Sequence, residues 1–337
     1  MRRKEKKNLQ KIYTSTNPSE RYGHACLLKE NEMYIFGGDN DDMELSDLYS
    51  LDLSSFEWTH YTPSKNSLKS PTLSSSRCFF YDKKFFVHGG YEEENFNSDL
   101  FCFDFIKNEW NLIECKNKPI GRSYHSGIIY QNFFIIFGGF LGQNQSYNNE
   151  IFYLNLNSFI WEKFETKQSI DLIPSNRSGH TSNLWKNEMI IFGGFGDEKC
   201  KDDFFSFDLI KKEWIKKNYF DFQIPLRYCH TSTLHLDNLW IFGGSNGDID
   251  MGDLICLNLI NNHSKLIESN LFSISYHSTV LYHNSLIIFG GDSKEEIETL
   301  KNDTWVYKLD YFPPFIKFNL ILKEPTENFK DLIFILQ

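Results

Sequence analysis

Positive charge is in short supply in this chain, which sets 35 Lys and Arg against 45 Asp and Glu for a net charge of −10. Nucleic-acid binding needs a dense basic face, so that class of partner is excluded. The one basic run, Arg2, Arg3, Lys4, Lys6 and Lys7, reads as a solvated, disordered terminus over residues 1–7, with nuclear targeting or membrane contact as the alternative. Long apolar runs are missing too: none could span a bilayer, and none follows the basic start as a signal peptide would require. Paired cysteine spacing is absent. Cys26, Cys78, Cys102, Cys115, Cys200, Cys229 and Cys256 are odd in number and contain no C-x-x-C, so neither a disulfide framework nor a zinc site is expected. These features suit a reducing compartment, cytoplasmic with the nucleus as the alternative. Alanine is scarce, whereas Phe (32) and Tyr (17) are abundant, a bias toward pleated, half-buried surfaces.

What the chain does have is a repeat. Apolar runs end in glycine pairs at Gly37/Gly38, Gly89/Gly90, Gly138/Gly139, Gly193/Gly194, Gly243/Gly244 and Gly290/Gly291, with intervals of 52, 49, 55, 50 and 47 residues. A histidine precedes the first glycine by 13 residues in five repeats: His24, His125, His180, His230 and His277. Three residues earlier stands Arg21, Arg122, Arg177 or Arg227. An aromatic strand such as SDLFCFD (98–104) follows each polar loop, and six residues past it come Trp58, Trp110, Trp161 and Trp214. Each repeat thus holds four short strands, roughly 24–29, 33–37, 46–52 and 57–61 in the first, here called a, b, c and d. One such sheet cannot bury both faces; six around an axis can. The predicted fold is all-β, a six-bladed propeller over 8–316 followed by a tail, 317–337.

With R-x-x-H, the glycine pair, the aromatic strand and the tryptophan in step, the sequence resembles the kelch family over residues of about 8 to 315. Glycine pairs and tryptophans are expected to be structural, the former for sharp turns or close backbone approach, the latter for burial between blades. Each histidine, locked to its own glycine pair, is expected to make a hydrogen bond within its blade rather than bind a metal. Cys102 and Cys256, like Ser50 and Ser206 at the equivalent position, read as small core residues. Three repeats depart from the pattern. The second has Leu73 and Ser76 at the arginine and histidine slots, Arg77 one place beyond, and His88 where others have Phe; the fifth has Ser264 at the tryptophan slot; the sixth has Ile274 at the arginine slot and no tryptophan. That last repeat lacks a strand d, interrupted by Pro313 and Pro314. Leu9 precedes Arg21 by the 12 residues that separate Trp110 from Arg122, so LQKIYT (9–14) is expected to close the ring; FIKFNLIL (315–322) is the rival.

Function falls to the loops, since long loops on a rigid scaffold usually carry it. The b–c loops (39–46, 91–98, 140–148, 195–201, 245–252 and 292–301) and the d–a connections share one end. The resemblance implies that Arg21, Arg122, Arg177 and Arg227 line a substrate pocket there, with a salt bridge inside the blade as the alternative. Around them the sequence offers the acids Asp39, Asp41, Glu92, Asp248 and Asp292 and the aromatics Tyr91, Phe140, Tyr147 and Phe195 as candidate contacts. Asp202 and Asp203 read as strand-entry turn residues. The expected role is a monomeric, cofactor-free protein-interaction module that catalyses nothing. The last residues, 327–337, resemble the opening strand of a BTB domain, which implies the substrate-binding part of a ubiquitin-ligase adaptor. A galactose-oxidase-like enzyme is the remote alternative; sialidase Asp boxes and the E-x-x-x-D-x-x-x-H iron motif of plant specifier proteins are absent.

Overall fold

A computed structural model describes residues 8–14, 16–142, 146–294 and 302–309. The basic run 1–7, the acids Glu295, Glu296 and Glu298, the rival strand 315–322 and the BTB-like 327–337 lie outside the described residues.

Six antiparallel sheets form six blades, each a meander from an inner strand a to an outer strand d. Blade 1 comprises Ala25–Lys29, Glu32–Phe36, Leu48–Asp52 and Glu57–Tyr61; blade 2, Arg77–Tyr81, Lys84–His88, Leu100–Asp104 and Glu109–Ile113; blade 3, Ser126–Tyr130, Phe133–Phe137, Ile151–Asn155 and Ile160–Phe164. Blade 4 is Thr181–Trp185, Glu188–Phe192, Phe204–Asp208 and Glu213–Lys217; blade 5, Thr231–His235, Asn238–Phe242, Leu254–Asn258 and His263–Glu268. Blade 6 has Ser278–Tyr282, Ser285–Phe289 and Thr304–Lys308 from the end of the array, and its strand d is Leu9–Ile12, paired with Thr304–Lys308. The clasp expected from the spacing of Leu9 is therefore the one observed. Lys11 reinforces it with an ion pair to Asp303 at 2.6 Å.

The aromatic bias is spent between blades. Each strand-d tryptophan packs on the residue before the glycine pair of the preceding blade: Trp58 on Phe289, Trp110 on Phe36, Trp161 on His88 and Trp214 on Phe137, with ring centroids 4.9–5.0 Å apart. All four tryptophans are buried. Where the tryptophan is missing, an aromatic from the preceding d–a connection takes its place. Tyr219 covers Phe192 ahead of Ser264, and Phe272 covers Phe242 beside the strand-d clasp. Ser264 itself accommodates the inserted chain, donating its hydroxyl to the carbonyls of Phe220 and Phe222. Ser50, Cys102, Ser206 and Cys256 are buried mid-strand as expected, and all seven cysteines are free thiols.

Candidate functional site: an aromatic mouth over a six-fold polar hub

The end that carries the b–c and d–a loops is built on three backbone patterns that run around the axis. First, the second glycine of every pair donates its N–H to the carbonyl at the arginine slot of the next blade. The six bonds run from Gly38 to Leu73, Gly90 to Arg122, Gly139 to Arg177, Gly194 to Arg227, Gly244 to Ile274 and Gly291 back to Arg21, at 2.8–3.0 Å. The glycine pairs therefore differ from the expectation in one respect: beyond turning the chain, Gly90, Gly194, Gly244 and their equivalents are buried donors that tie each blade to the next. They also sit just past strand b rather than within its end, the strands stopping at Phe36, His88, Phe137, Phe192, Phe242 and Phe289. A side chain has no room there. At Gly138, φ is +66° and a Cβ would lie 2.7 Å from the Arg177 carbonyl and 2.8 Å from the His180 ring. Second, the residue after each glycine pair forms a two-residue bridge with a d–a residue: Tyr22 with Asp39, Ser74 with Tyr91, Ser123 with Phe140, Ser178 with Phe195, Tyr228 with Ser245 and Ser275 with Asp292. Third, Gly23, Ser75, Tyr124, Gly179, Cys229 and Tyr276 each donate an N–H to the preceding member's carbonyl at 2.6–3.0 Å, with Gly23 donating to Tyr276. All six have φ between +51° and +62°. The left-handed backbone turns N–H and C=O to opposite neighbours, so the innermost ring closes on itself.

The arginines do not line a pocket. Arg21, Arg122, Arg177 and Arg227 are 0% exposed. Each places Nη1 2.9–3.1 Å from the first glycine carbonyl of its own blade. Arg21, Arg177 and Arg227 form bidentate pairs with Asp47, Asp203 and Asp253 at 2.5–2.9 Å. Arg122 meets Asn148 and, at 3.6 Å, Glu150; burial lowers its pKa to about 10, against the favourable charge of Glu150. This overturns the expectation that the four arginines contact a partner, because solvent cannot reach their guanidinium groups. Asp203 likewise is more than a turn residue. In the blades without the arginine, the strand-entry carboxylate recruits a lysine, Asp99 taking Lys118 and Asp303 taking Lys11.

The histidines are structural, but their bonds cross between blades instead of staying within one. Nε2 of His24, His180, His230 and His277 lies 2.8–3.1 Å from the hydroxyl of Ser278, Ser126, Thr181 and Thr231, each the residue after the histidine slot of the preceding blade. The departures in blade 2 now make sense. Ala25 offers no hydroxyl and Ser76 has no imidazole to receive one; Arg77 offers none to His125, and His88 supplies Nδ1 at 3.3 Å in its place. Burial holds all six imidazoles neutral, His88 and His277 at about 3. A histidine beside a serine hydroxyl is a nucleophile–base geometry, yet His180 and Ser126 are 1% and 2% exposed, so no substrate reaches them. Among the described residues no His, Cys, Asp and Glu side chains gather in a set that could hold a metal ion.

Above this hub the expected aromatics meet others that the sequence did not announce. Tyr91, Phe96, Phe140, Tyr147, Phe195, Tyr228, Tyr276 and Tyr22 make an unbroken chain of ring contacts with centroids 5.1–6.3 Å apart, and Tyr124 joins at Tyr276. All are half-buried. The d–a connection into blade 2 contributes Ser74, Ser75 and Ser76 in place of an aromatic ring, so blade 2 joins the arc through its b–c loop. Asp39, Glu92 and Asp292 sit half-buried beside the arc, while Asp41 and Asp248 are exposed at loop tips. Burial, then the charges of Asp39 and Asp41, push the Tyr22 phenol well above its ordinary range. The mouth is therefore apolar over the described residues of blade 3, mixed over blade 4, where Asp197 and Glu198 stand beside Lys199 and Lys201, and acid-rimmed elsewhere.

A domain model described as "KLHDC2/KLHL20/DRC7 Kelch-repeats domain" matches residues 3–172 and 125–312, nearly the whole array. The chain belongs to the kelch-repeat family. Kelch propellers generally serve as protein-interaction modules. Among curated proteins, acyl-CoA-binding domain-containing protein 5 of Arabidopsis thaliana is 24% identical over 83% of this chain and 44% of its own length. Kelch domain-containing protein 3 of Bos taurus is 25% identical over 59% of this chain and 54% of its own. Kelch repeat-containing protein 2 of Saccharomyces cerevisiae is 31% identical over 52% and 21% respectively. The chain thus spans about half or less of the relatives it matches. No helix among the described residues is long and apolar enough to cross a membrane.

Proposed function

We propose that this kelch propeller binds a protein segment across its aromatic mouth, with side chains of that segment laid on the Tyr91–Tyr22 arc and its basic residues facing the acid rim. The continuity of ring contacts across all six blades supports this reading. Aromatics half-exposed on a rigid scaffold give large contact area at low entropic cost, and tyrosine faces beside carboxylates attract Lys and Arg by both charge and cation–π contact. The same negative rim disfavours nucleic acid. The opposite end carries Ile106, Ile210 and Ile260 exposed at the c–d turns of blades 2, 4 and 5, Leu236 exposed at an a–b turn, and a mostly apolar pocket between blades 3 and 4 lined by Tyr130, Phe133, Tyr153 and Phe207. The test is a matched pair of variants, F140S/Y147S/F195S at the mouth and I106S/I210S/I260S at the far end, each confirmed folded and used as bait in native extract. Partners lost from the first and kept by the second support the mouth; the reverse pattern moves the site to the c–d face.

A further inference from the structure

The residue two places before each strand-d tryptophan has a left-handed backbone, with φ of +57° at Phe56 and Asn108, +53° at Phe159 and +60° at Lys212. In blades 1 and 3 this position holds a ring that closes the seam with the preceding blade. Phe56 packs on the cluster around Ile287, and Phe159 lies 6.4 Å from Phe86. Blade 2 has Asn108 instead, and there Phe105, three residues earlier, fills the seam with its ring 5.7 Å from Tyr34. Blade 4 has neither. Lys212 takes the place of the first ring and Leu209 that of Phe105, and the seam between blades 3 and 4 holds a cavity of about 170 Å³. An apolar cavity of ~150 Å³ admits one benzene ring, so this one is sized for a single ring.

The walls are aromatic. Phe133 meets Tyr153 edge-on at 5.8 Å and Phe164 meets Phe207 at 5.1 Å, with Tyr130 and Ile135 beside them. Ile135 and Phe207 are buried, whereas Phe133, Tyr153 and Phe164 are half-buried and open the cavity to solvent. Ring contacts of this kind add to area burial, which favours an aromatic occupant over an aliphatic one. Both phenols are already engaged: Tyr130 donates to Asn187 at 3.0 Å, and Tyr153 donates to Glu162 at 2.7 Å. Two lining donors, the Gln131 amide and the Lys212 ammonium, are exposed and have no hydrogen-bond partner among the described residues. Lys212 Nζ stands 5.7 Å from the Tyr153 ring centre and 5.9 Å from that of Phe164, with no carboxylate in ion-pair contact among the described residues. A ring between these walls sets its first substituent near a cation, and a carboxylate one or two bonds from the ring matches it. A partner's phenylalanine would offer only neutral backbone at that distance.

We propose that the seam between blades 3 and 4 binds a small free aromatic carboxylate, with its ring between Phe133, Tyr153 and Phe207 and its carboxylate on Lys212 and Gln131. This site is independent of the mouth. Phenylacetate, its neutral analogue phenylacetamide and N-acetylphenylalaninamide are titrated against the whole chain and followed by ligand-observed NMR. The proteins are the parent, the mouth variant F140S/Y147S/F195S, Lys212→Met and Lys212→Phe. Parent and mouth variant should bind phenylacetate saturably, and phenylacetamide roughly fivefold more weakly. Lys212→Met should bring phenylacetate down to the level of the amide and leave the amide unchanged. Lys212→Phe supplies the ring of Phe56 and Phe159 at a backbone angle that both already hold. It should bind none of the three and melt no lower than the parent. Phenylacetate binding that persists in Lys212→Phe, or is lost in the mouth variant, would place the ligand elsewhere. Equal affinity for acid and amide, or no saturation in the parent, would overturn the site, and a Lys212→Phe chain that fails to fold would refute the equivalence of the seams. Tighter binding of N-acetylphenylalaninamide than of phenylacetate would assign the cavity to a partner's side chain instead.

Discussion

Mild acid should unfold this propeller long before its carboxylates are protonated. His24, His88, His125, His180, His230 and His277 are buried, and desolvation, the first cause at each, depresses their pKa values far below the ordinary 6.5. A depressed base binds protons more readily in the unfolded chain. Stability is thus complete above the unfolded pKa and drains away as pH falls below about 6.5. Between that value and pH 5 the folded imidazoles stay neutral, so the loss depends only on the unfolded value. One unit below 6.5, each histidine costs about 1.4 kcal/mol. Six together cost roughly 8 kcal/mol, comparable with the whole stability of many domains. The lowered carboxylates, Asp52, Asp104 and Asp208, titrate below this window and do not contribute to it. Melting followed by circular dichroism and tryptophan fluorescence at pH 7.5, 6.5 and 5.5, at fixed ionic strength, should show a small drop in the first step, where half-protonation of six unfolded imidazoles costs about 2 kcal/mol. The second step should bring a drop on the order of 15 °C or outright unfolding. A melting temperature that stays level down to pH 5.5 would show that the imidazoles are hydrated, and the interblade histidine bonds would have to be abandoned.

The swap in blade 2 predicts a coupling. His88→Phe should cost about 1–3 kcal/mol by stranding His125, and Arg77→Ser added to it should restore much of that by offering the usual hydroxyl; strictly additive effects in urea melts would refute the exchange. Trp161→Ala should cost roughly 3–5 kcal/mol, since the ring fills the space against His88; a parental urea midpoint would disprove the packing. Arg177→Ala should lower stability by about 3 kcal/mol or more while leaving partner affinity intact once the protein is folded; lost affinity in a stable variant would return the arginines to the binding site. Deleting residues 1–14 should remove the clasp and broaden or abolish the melting transition, and an unchanged curve would mean that another segment completes blade 6.

The architecture was legible because propellers impose a period on the chain. The first glycine of a pair falls where a Cβ would strike the next blade and the second where it would strike the d–a connection of its own blade, and tryptophans fall where one blade must cover another, so each mark returns at a near-constant interval. The spacing of Leu9 before Arg21 pointed to the ring closure for the same reason. The site was less legible. Tyr91, Phe140, Tyr147 and Phe195 stood out because they follow the glycine pairs or lie in the long loops, whereas Tyr22 and Tyr228, one past the arginine slot, and Tyr124 and Tyr276, two past it, each recur in only two blades, and Phe96 is a single aromatic late in its loop.

Repeat and closure, then, are properties of the sequence itself, since they depend on spacings that recur along one chain. Which partner each polar group takes is not. Spacing alone could not tell whether Arg177 faces a ligand or Asp203, 26 residues on, nor that His180 bonds Ser126 in the blade before it. Nor could it tell that the amides of Gly90, Gly194 and Gly244 bond the carbonyls of Arg122, Arg227 and Ile274 in the blade after. The choices made between consecutive blades join residues roughly thirty to fifty positions apart, where only the stacking of one blade on the next brings donor and acceptor within about 3 Å. The mismatch of Arg77 and His88 becomes an exchange for the same reason: as sequence they are two irregularities, and in the fold His88 gives His125 the contact that Arg77 does not.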